Sequence, residues 1–233
     1  MLVSHKNRFI YTKTVKTAGT SVESYFEPFC MKKEDWRFSH GRREYNSEKG
    51  IVGVRSRSPL DIQGAIWWNH MPAKTIKALL GDDTWDSYFK FCVIRNPFEK
   101  MVSAFRSFGG NVPVQLPATD SSFEARNHSG TFQKIKRKFE RWLVSVPLPL
   151  DQNKYMIDGV FCMDYVIRFE ALSEGMAHVC KKLHIEYEKG KMAHLKKTTK
   201  PNVECRDYYS NRSLEIVERA YKWEIQEFGY SSP

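Results

Sequence analysis

An α/β fold is what this sequence predicts: a single domain over residues 1–233, with a central parallel sheet flanked by helices. Three observations predict it. Two short apolar runs, Phe9-Ile10-Tyr11 and Phe89–Ile94, have the length and composition of buried strands. Each leads into a helix start, at Ala18-Gly19-Thr20-Ser21 after the first and at Asn96-Pro97 after the second. Strands and helices then alternate along the chain without internal repeat or domain boundary, the pattern of a parallel sheet covered on both faces.

Taken in order, the first strand spans Arg8–Thr14 and the loop Lys16–Ser21 follows, leading into helix Thr20–Phe29. Backbone N–H groups at a helix N-terminus lack partners and the helix dipole favours an anion there, so this arrangement cradles phosphate. Gly19 lets the backbone approach closely, Thr20 and Ser21 supply hydroxyls, and Lys16 supplies a point charge. The nucleotide-triphosphatase loop requires Gly-x-x-x-x-Gly-Lys-Ser/Thr; here the lysine precedes the glycine. A polar stretch follows to about Pro59, rich in arginine (Arg37, Arg42, Arg43, Arg55, Arg57) and poor in periodicity. A long insertion of that kind is either functional or disordered.

Ala65–Trp68 reads as a short strand leading into His70, and Pro72 suits the first turn of helix Ala73–Leu80. Strand Phe89–Ile94 ends at Arg95, where open α/β sheets place ligands. Pro97 opens helix Pro97–Phe108, with Ser103 in its second turn. A triphosphatase would want an Asp at such a strand end to hold magnesium; a guanidinium there favours an anion bound without a metal. A structural ion pair is the other reading of Arg95. Gly109–Thr131 is a loop or lid by composition. Helix Thr131–Val144 carries the stripe Phe132, Ile135, Phe139 and Leu143, and Pro147 and Pro149 then break the chain. Strand Asp164–Phe169 feeds helix Ala171–Leu183. The last helix, capped by Ser210 or Asn211, runs to Phe228.

With 41% hydrophobic residues, the chain has enough apolar surface for one proper core. Its net charge of +10 asks for an anionic partner. Nucleic acid competes for that role through Lys134–Lys138 and Lys196-Lys197, but no nucleic-acid motif accompanies them, and Lys134–Lys138 reads as the solvated face of an amphipathic helix. No apolar run approaches the ~18 residues of a membrane span, and Met1–Arg8 does not read as a signal peptide. Cys30, Cys92, Cys162, Cys180 and Cys205 lack metal-ligand spacing and fit a reducing, cytoplasmic setting.

Val15-Lys16-Thr17-Ala18-Gly19-Thr20-Ser21 resembles the 5′-phosphosulfate loop of sulfotransferases that use 3′-phosphoadenosine 5′-phosphosulfate (PAPS), with Val15 where a proline is usual. The segment from Val93 through Arg95-Asn96-Pro97 to Phe105 resembles their 3′-phosphate segment, with Lys100 where an arginine is common. His194–Thr199 resembles a cosubstrate-covering loop and Tyr221–Tyr230 the closing helix, most like the heparan/dermatan uronyl 2-O and chondroitin type and small bacterial relatives. Residues from roughly Glu34 to Gln63 and Gly109 to Thr131 match nothing in that pattern.

The resemblance implies PAPS as cosubstrate, a hydroxyl acceptor such as an anionic saccharide, and no metal. Lys16 would neutralise charge as the S–O bond breaks, while Thr17, Ala18, Gly19, Thr20 and Ser21 form the 5′-phosphate loop. Arg95 and Ser103 would hold the 3′-phosphate, and Lys196 and Thr198 close over the nucleotide; the latter pair also reads as an ordinary basic loop. His70 is the candidate base, for its near-neutral pKa and its place relative to Arg95; a surface or capping histidine is the plain alternative, and His40 the runner-up. Since the eukaryotic relatives are usually Golgi-anchored, the resemblance implies either a cytoplasmic bacterial-type enzyme or a trimmed catalytic domain. Two other classes compete: a nucleotide kinase or triphosphatase with a degenerate loop, and a non-catalytic basic protein that binds nucleic acid or acidic glycans.

Overall fold

The computed structural model describes residues 1–56, 59–109, 130–191 and 203–233. Their backbone forms two compact units, one from residues 1–94 and 151–196, the other from residues 95–150 and 197–233.

The first unit is built on a six-stranded sheet. Its strands in chain order are β1 (Leu2–Ser4), β2 (Phe9–Thr12), β3 (Tyr45–Ser47), β4 (Gly50–Val52), β5 (Phe89–Ile94) and, beyond the short hairpin β6–β7 (Met156–Ile157, Val160–Phe161), β8 (Tyr165–Arg168). Across the sheet they run β3-β4-β1-β2-β5-β8. Strands β2, β5 and β8 are parallel, with Phe9 opposite Phe89 and Phe91 opposite Tyr165. All of β2 and most of β5 are buried, as expected of strands covered on both faces.

The sheet is therefore mixed, and the expectation of a parallel one holds only for this half. β1 pairs antiparallel with both β2 and β4, and β4 with β3. The hairpin β3–β4 falls in the arginine-rich stretch that shows no periodicity, because three-residue strands are too short to display any. Gly50 allows it to close: a Cβ there would lie 2.1 Å from the carbonyl oxygen of Val3. Ala65–Trp68 is not a strand. Trp68 makes only an isolated parallel bridge with Val54, and the Val54 amide donates to the Trp67 carbonyl at 2.9 Å.

Among the described residues, the stretch from 1 to 94 contributes four helices: α1 (Gly19–Phe26), the single turn α2 (Pro59–Ile62), α3 (Ala73–Leu80) and α4 (Asp82–Ser87). The expected helix Thr20–Phe29 ends as an α-helix at Phe26 and continues as a 3₁₀ turn over Glu27–Phe29. Pro28 explains this, since it has no N–H for an i→i−4 bond. Phe26, at the end of α1, packs edge to face on Phe9 and Phe91, with ring centroids 5.5 and 5.2 Å away. Helix Leu172–Lys182 adds Met176, Val179 and Cys180 to the same core.

The second unit is helical. Pro97 starts α5 (Pro97–Phe108), and the Asn96 side chain caps it by accepting from the Phe98 amide at 2.9 Å. Helix Gly130–Ser145 buries Phe132, Ile135, Phe139 and Leu143 and leaves Lys134, Arg137 and Lys138 exposed, so the basic run is a solvated face. The expected final helix is two, Asn211–Ala220 capped by Ser210 and Lys222–Phe228 ending at Gly229, with a break at Tyr221. The Tyr221 ring is fully buried in this unit's core, its hydroxyl donating to the Pro149 carbonyl at 3.0 Å. Among the described residues, no helix is long and apolar enough to cross a membrane.

Candidate active site

β2 ends at Thr12 and α1 begins at Gly19; everything between is devoted to turning the chain. Lys16 and Ala18 both take left-handed backbone angles (φ 64° and 58°), so neither fits an ordinary extended or helical run. Such angles cost energy and persist where the surroundings impose them. Ala18 is the N-cap of α1 and offers no side-chain acceptor to the first turn. The opening amides of the helix thus keep the anion-binding character that its dipole favours. Lys16, Thr20 and Ser21 are half-buried, at the rim of this turn.

Thr17 faces the other way. Its hydroxyl lies 2.7 Å from that of Thr14 and is buried, and Thr14 in turn bonds the Val93 carbonyl of the neighbouring parallel strand. What Thr17 can offer an anion is its backbone. Gly19 is required by close approach, because a Cβ there would lie 2.7 Å from Cε of Lys13. The Lys13 stem runs beneath the loop and its ammonium meets Glu23 on α1 at 2.5 Å.

That ion pair belongs to a buried cluster that nothing in the motif pattern reveals. Glu23 also accepts from the Met1 amino group at 2.8 Å and from Arg55 at 3.1 Å. One turn on, Glu27 accepts from Arg55 and, at 2.9 Å, from Arg42. Burial alone would push the Glu23 carboxyl up; Lys13, the Met1 amine and Arg55 outweigh it and hold the group well below the usual carboxylate range. Two arginines of the Arg37–Arg57 stretch, Arg42 and Arg55, are therefore turned inward onto Glu23 of α1 and Glu27 of the 3₁₀ turn that follows it. Arg37 and Arg43 are exposed, and Arg57 lies outside the described residues.

His70, 57 residues from Lys13 in sequence, is brought to the root of the loop: its Nδ1 lies 3.1 Å from the Lys13 carbonyl oxygen. A carbonyl accepts only, so this bond places the proton on Nδ1 and leaves Nε2 as the basic nitrogen. The residue sits in a left-handed conformation (φ 58°) just ahead of α3, with Pro72 as the helix cap. Burial, then the charges of Lys13 and the Met1 amine, push the imidazole down to about 4, against the opposing pull of Asp151 and Glu23. It is neutral through the physiological range. His40 is exposed, its ring edge-on to Phe38 and its carbonyl accepting from Arg55 at 2.9 Å.

The loop has one more anchor. The Val15 amide donates to Oδ2 of Asp151 at 2.9 Å, and Asp151 is only 2% exposed. Sequence reasoning missed Asp151, Lys13 and Glu23. The only signal for Asp151 is a lone acid closing the apolar, proline-broken run Val146–Leu150.

Arg95 follows β5 directly. Its guanidinium pairs with Glu99 at 2.8 Å, and Ser103 lies one turn beyond Glu99 on the same face of α5. The pair is the structural arrangement weighed for Arg95, but its Glu99 end is half exposed, so exchanging it for another anion costs little. Lys196 and Thr198, and the lid segment at residues 110–129, lie outside the described residues. Among the described residues, no group of His, Cys, Asp and Glu side chains is placed to hold a metal ion.

Comparison with known proteins adds one finding: the model of the "Sulfotransferase family" matches residues 1–231. Neither the comparison with curated proteins nor that with solved structures returns a match. The match takes in the loop at Lys16, His70, the strand end at Arg95 and all but the last two of 233 residues, and by it the chain belongs to the sulfotransferase family.

Proposed function

We propose that this chain transfers the sulfuryl group of PAPS to a hydroxyl of a carbohydrate or other small acceptor. The observation that carries the reading is the bond between His70 and the Lys13 carbonyl. It joins a neutral imidazole, with its basic nitrogen defined, to the root of a loop shaped for an anion. In the reaction the acceptor oxygen forms a bond to sulfur, the bond from sulfur to the 5′-phosphate oxygen breaks, and the hydroxyl proton passes to Nε2 of His70. Adenosine 3′,5′-bisphosphate leaves. Lys16 neutralises the charge that gathers on the departing oxygen, and the amides of residues 17–20 with the hydroxyls of Thr20 and Ser21 hold the 5′-phosphate.

Arg95 and Ser103 take the 3′-phosphate, the group that separates this cosubstrate from ATP. Lys196 and Thr198 cover the nucleotide. The exposed Arg37 and Arg43 suit an acceptor that carries carboxylate or sulfate, since a guanidinium pairs with such groups through two hydrogen bonds.

Calorimetry without magnesium tests the donor. Adenosine 3′,5′-bisphosphate is expected to bind much more tightly than AMP or ATP. Arg95→Ala is expected to weaken the bisphosphate by roughly 1.5–3 kcal/mol, the range of hydrogen bonds to charged groups, and to leave AMP unchanged. Equal losses for both nucleotides would return Arg95 to its ion pair with Glu99. Magnesium-dependent ATP binding with no affinity for the bisphosphate would overturn the donor.

A further inference from the structure

Asp151 has no part in the proposed chemistry, yet it is a buried acid held against the loop that does. Taking a carboxylate out of water costs several kcal/mol, so a fold keeps one only where good partners surround it. Here Oδ2 accepts the Val15 amide at 2.9 Å and Oδ1 lies 3.6 Å from Nζ of Lys154, which is itself buried and donates to Asn153 at 2.7 Å. Val15 immediately precedes Lys16, whose left-handed backbone sets the direction of the lysine side chain. An amide fixed one residue earlier limits how far that turn can relax.

We propose that Asp151 is a positioning residue of this site: through the Val15 amide its buried carboxylate fixes the loop that carries Lys16. The inference rests on the sulfotransfer reading for its purpose, but it is measurable without acceptor or turnover.

Two substitutions test it. Asp151→Asn keeps an oxygen that accepts from Val15; Asp151→Ala removes it. In the asparagine variant, the Val15 amide is expected to stay protected from hydrogen exchange and bisphosphate affinity to stay within about threefold, one neutral hydrogen bond replacing a charged one. In the alanine variant, Val15 is expected to lose its protection and bisphosphate to bind about tenfold more weakly, the scale of one lost hydrogen bond to a charged group.

Wild-type protection of Val15 in Asp151→Ala overturns the clamp. Should the alanine variant fail to fold, Asp151→Leu fills the space without an acceptor, and wild-type protection of Val15 in it overturns the clamp. Failure of the unmodified protein to bind bisphosphate would sink the donor assignment alone, because amide protection is read with no nucleotide present.

Discussion

Replacing Lys16 by alanine is expected to lower turnover by about two to three orders of magnitude, the scale of one lost electrostatic partner in the transition state. Charge builds on the leaving phosphate oxygen only as the S–O bond breaks, so the ammonium matters more in the transition state than in the ground state. Nucleotide affinity should fall far less. The opening amides of α1, which no side-chain cap occupies, remain where they were. A further contrast is available in Lys16→Arg, which keeps the charge but spreads it over a planar fork, so partial activity is expected. Steady-state rates with a screened acceptor, beside calorimetry of the bisphosphate, make the check. Turnover within a few-fold of wild type would move the sulfuryl end away from this loop.

His70→Ala is expected to cost roughly 10²–10⁴ in rate, the range for a lost general base. The structure sharpens the accompanying pH dependence. Nε2 accepts a proton only while the ring is neutral, and burial beside Lys13 pushes its pKa down to about 4. The rate governed by this group should therefore climb as pH rises through that region and be flat across neutrality. An unperturbed histidine would place the climb near pH ~6.5. The limb should vanish in the alanine variant. Because the ring also holds the Lys13 carbonyl, alanine alone confounds chemistry with loop order. His70→Asn supplies an N–H for that carbonyl without a base, so it should restore bisphosphate affinity but not rate. An active His70→Asn enzyme would reassign the base.

Legibility in the sequence followed local rules. Phe89–Ile94 and Pro97–Phe108 are found where expected, because a continuous apolar run, Asn96 as cap and Pro97 at the first turn all act within a few residues. The same holds for Ala73–Leu80 and for Ser210 as the cap of Asn211–Ala220. The antiparallel half of the sheet was hidden because Leu2–Ser4, Tyr45–Ser47 and Gly50–Val52 are each a single pleat and a half, too short for alternation to register. In the candidate site, Lys16 and its neighbours were readable as a local motif. His70 was readable only through resemblance, and its tautomer not at all, since that depends on a carbonyl brought from a distant strand. Asp151 and Glu23 act across separations of 136 residues to Val15 and 32 to Arg55, distances over which residue type carries no positional signal.

The fate of the arginine-rich segment during unfolding follows from Arg55. Its guanidinium grips Glu23 on α1 and Glu27 in the 3₁₀ turn that follows, while also donating to the carbonyls of Ser39 and His40, and its backbone exchanges two hydrogen bonds with Arg42. If residues 39–55 peeled away alone, Glu27 would stay behind in the interior without Arg42 and Arg55, a loss of about 3–5 kcal/mol for the stranded carboxylate, while Glu23 would lose Arg55 and keep Lys13 and the Met1 amine. Ordinary surface loops open at almost no cost. This one should not. In native-state hydrogen exchange, the amides of Arg42 and Arg55 are expected to open at the same free energy as those of Val22–Phe26, as one cooperative unit. A stretch with the composition of a dispensable insertion is thereby tied to the survival of the helix behind Lys16, and shortening it should melt that helix rather than merely trim the surface.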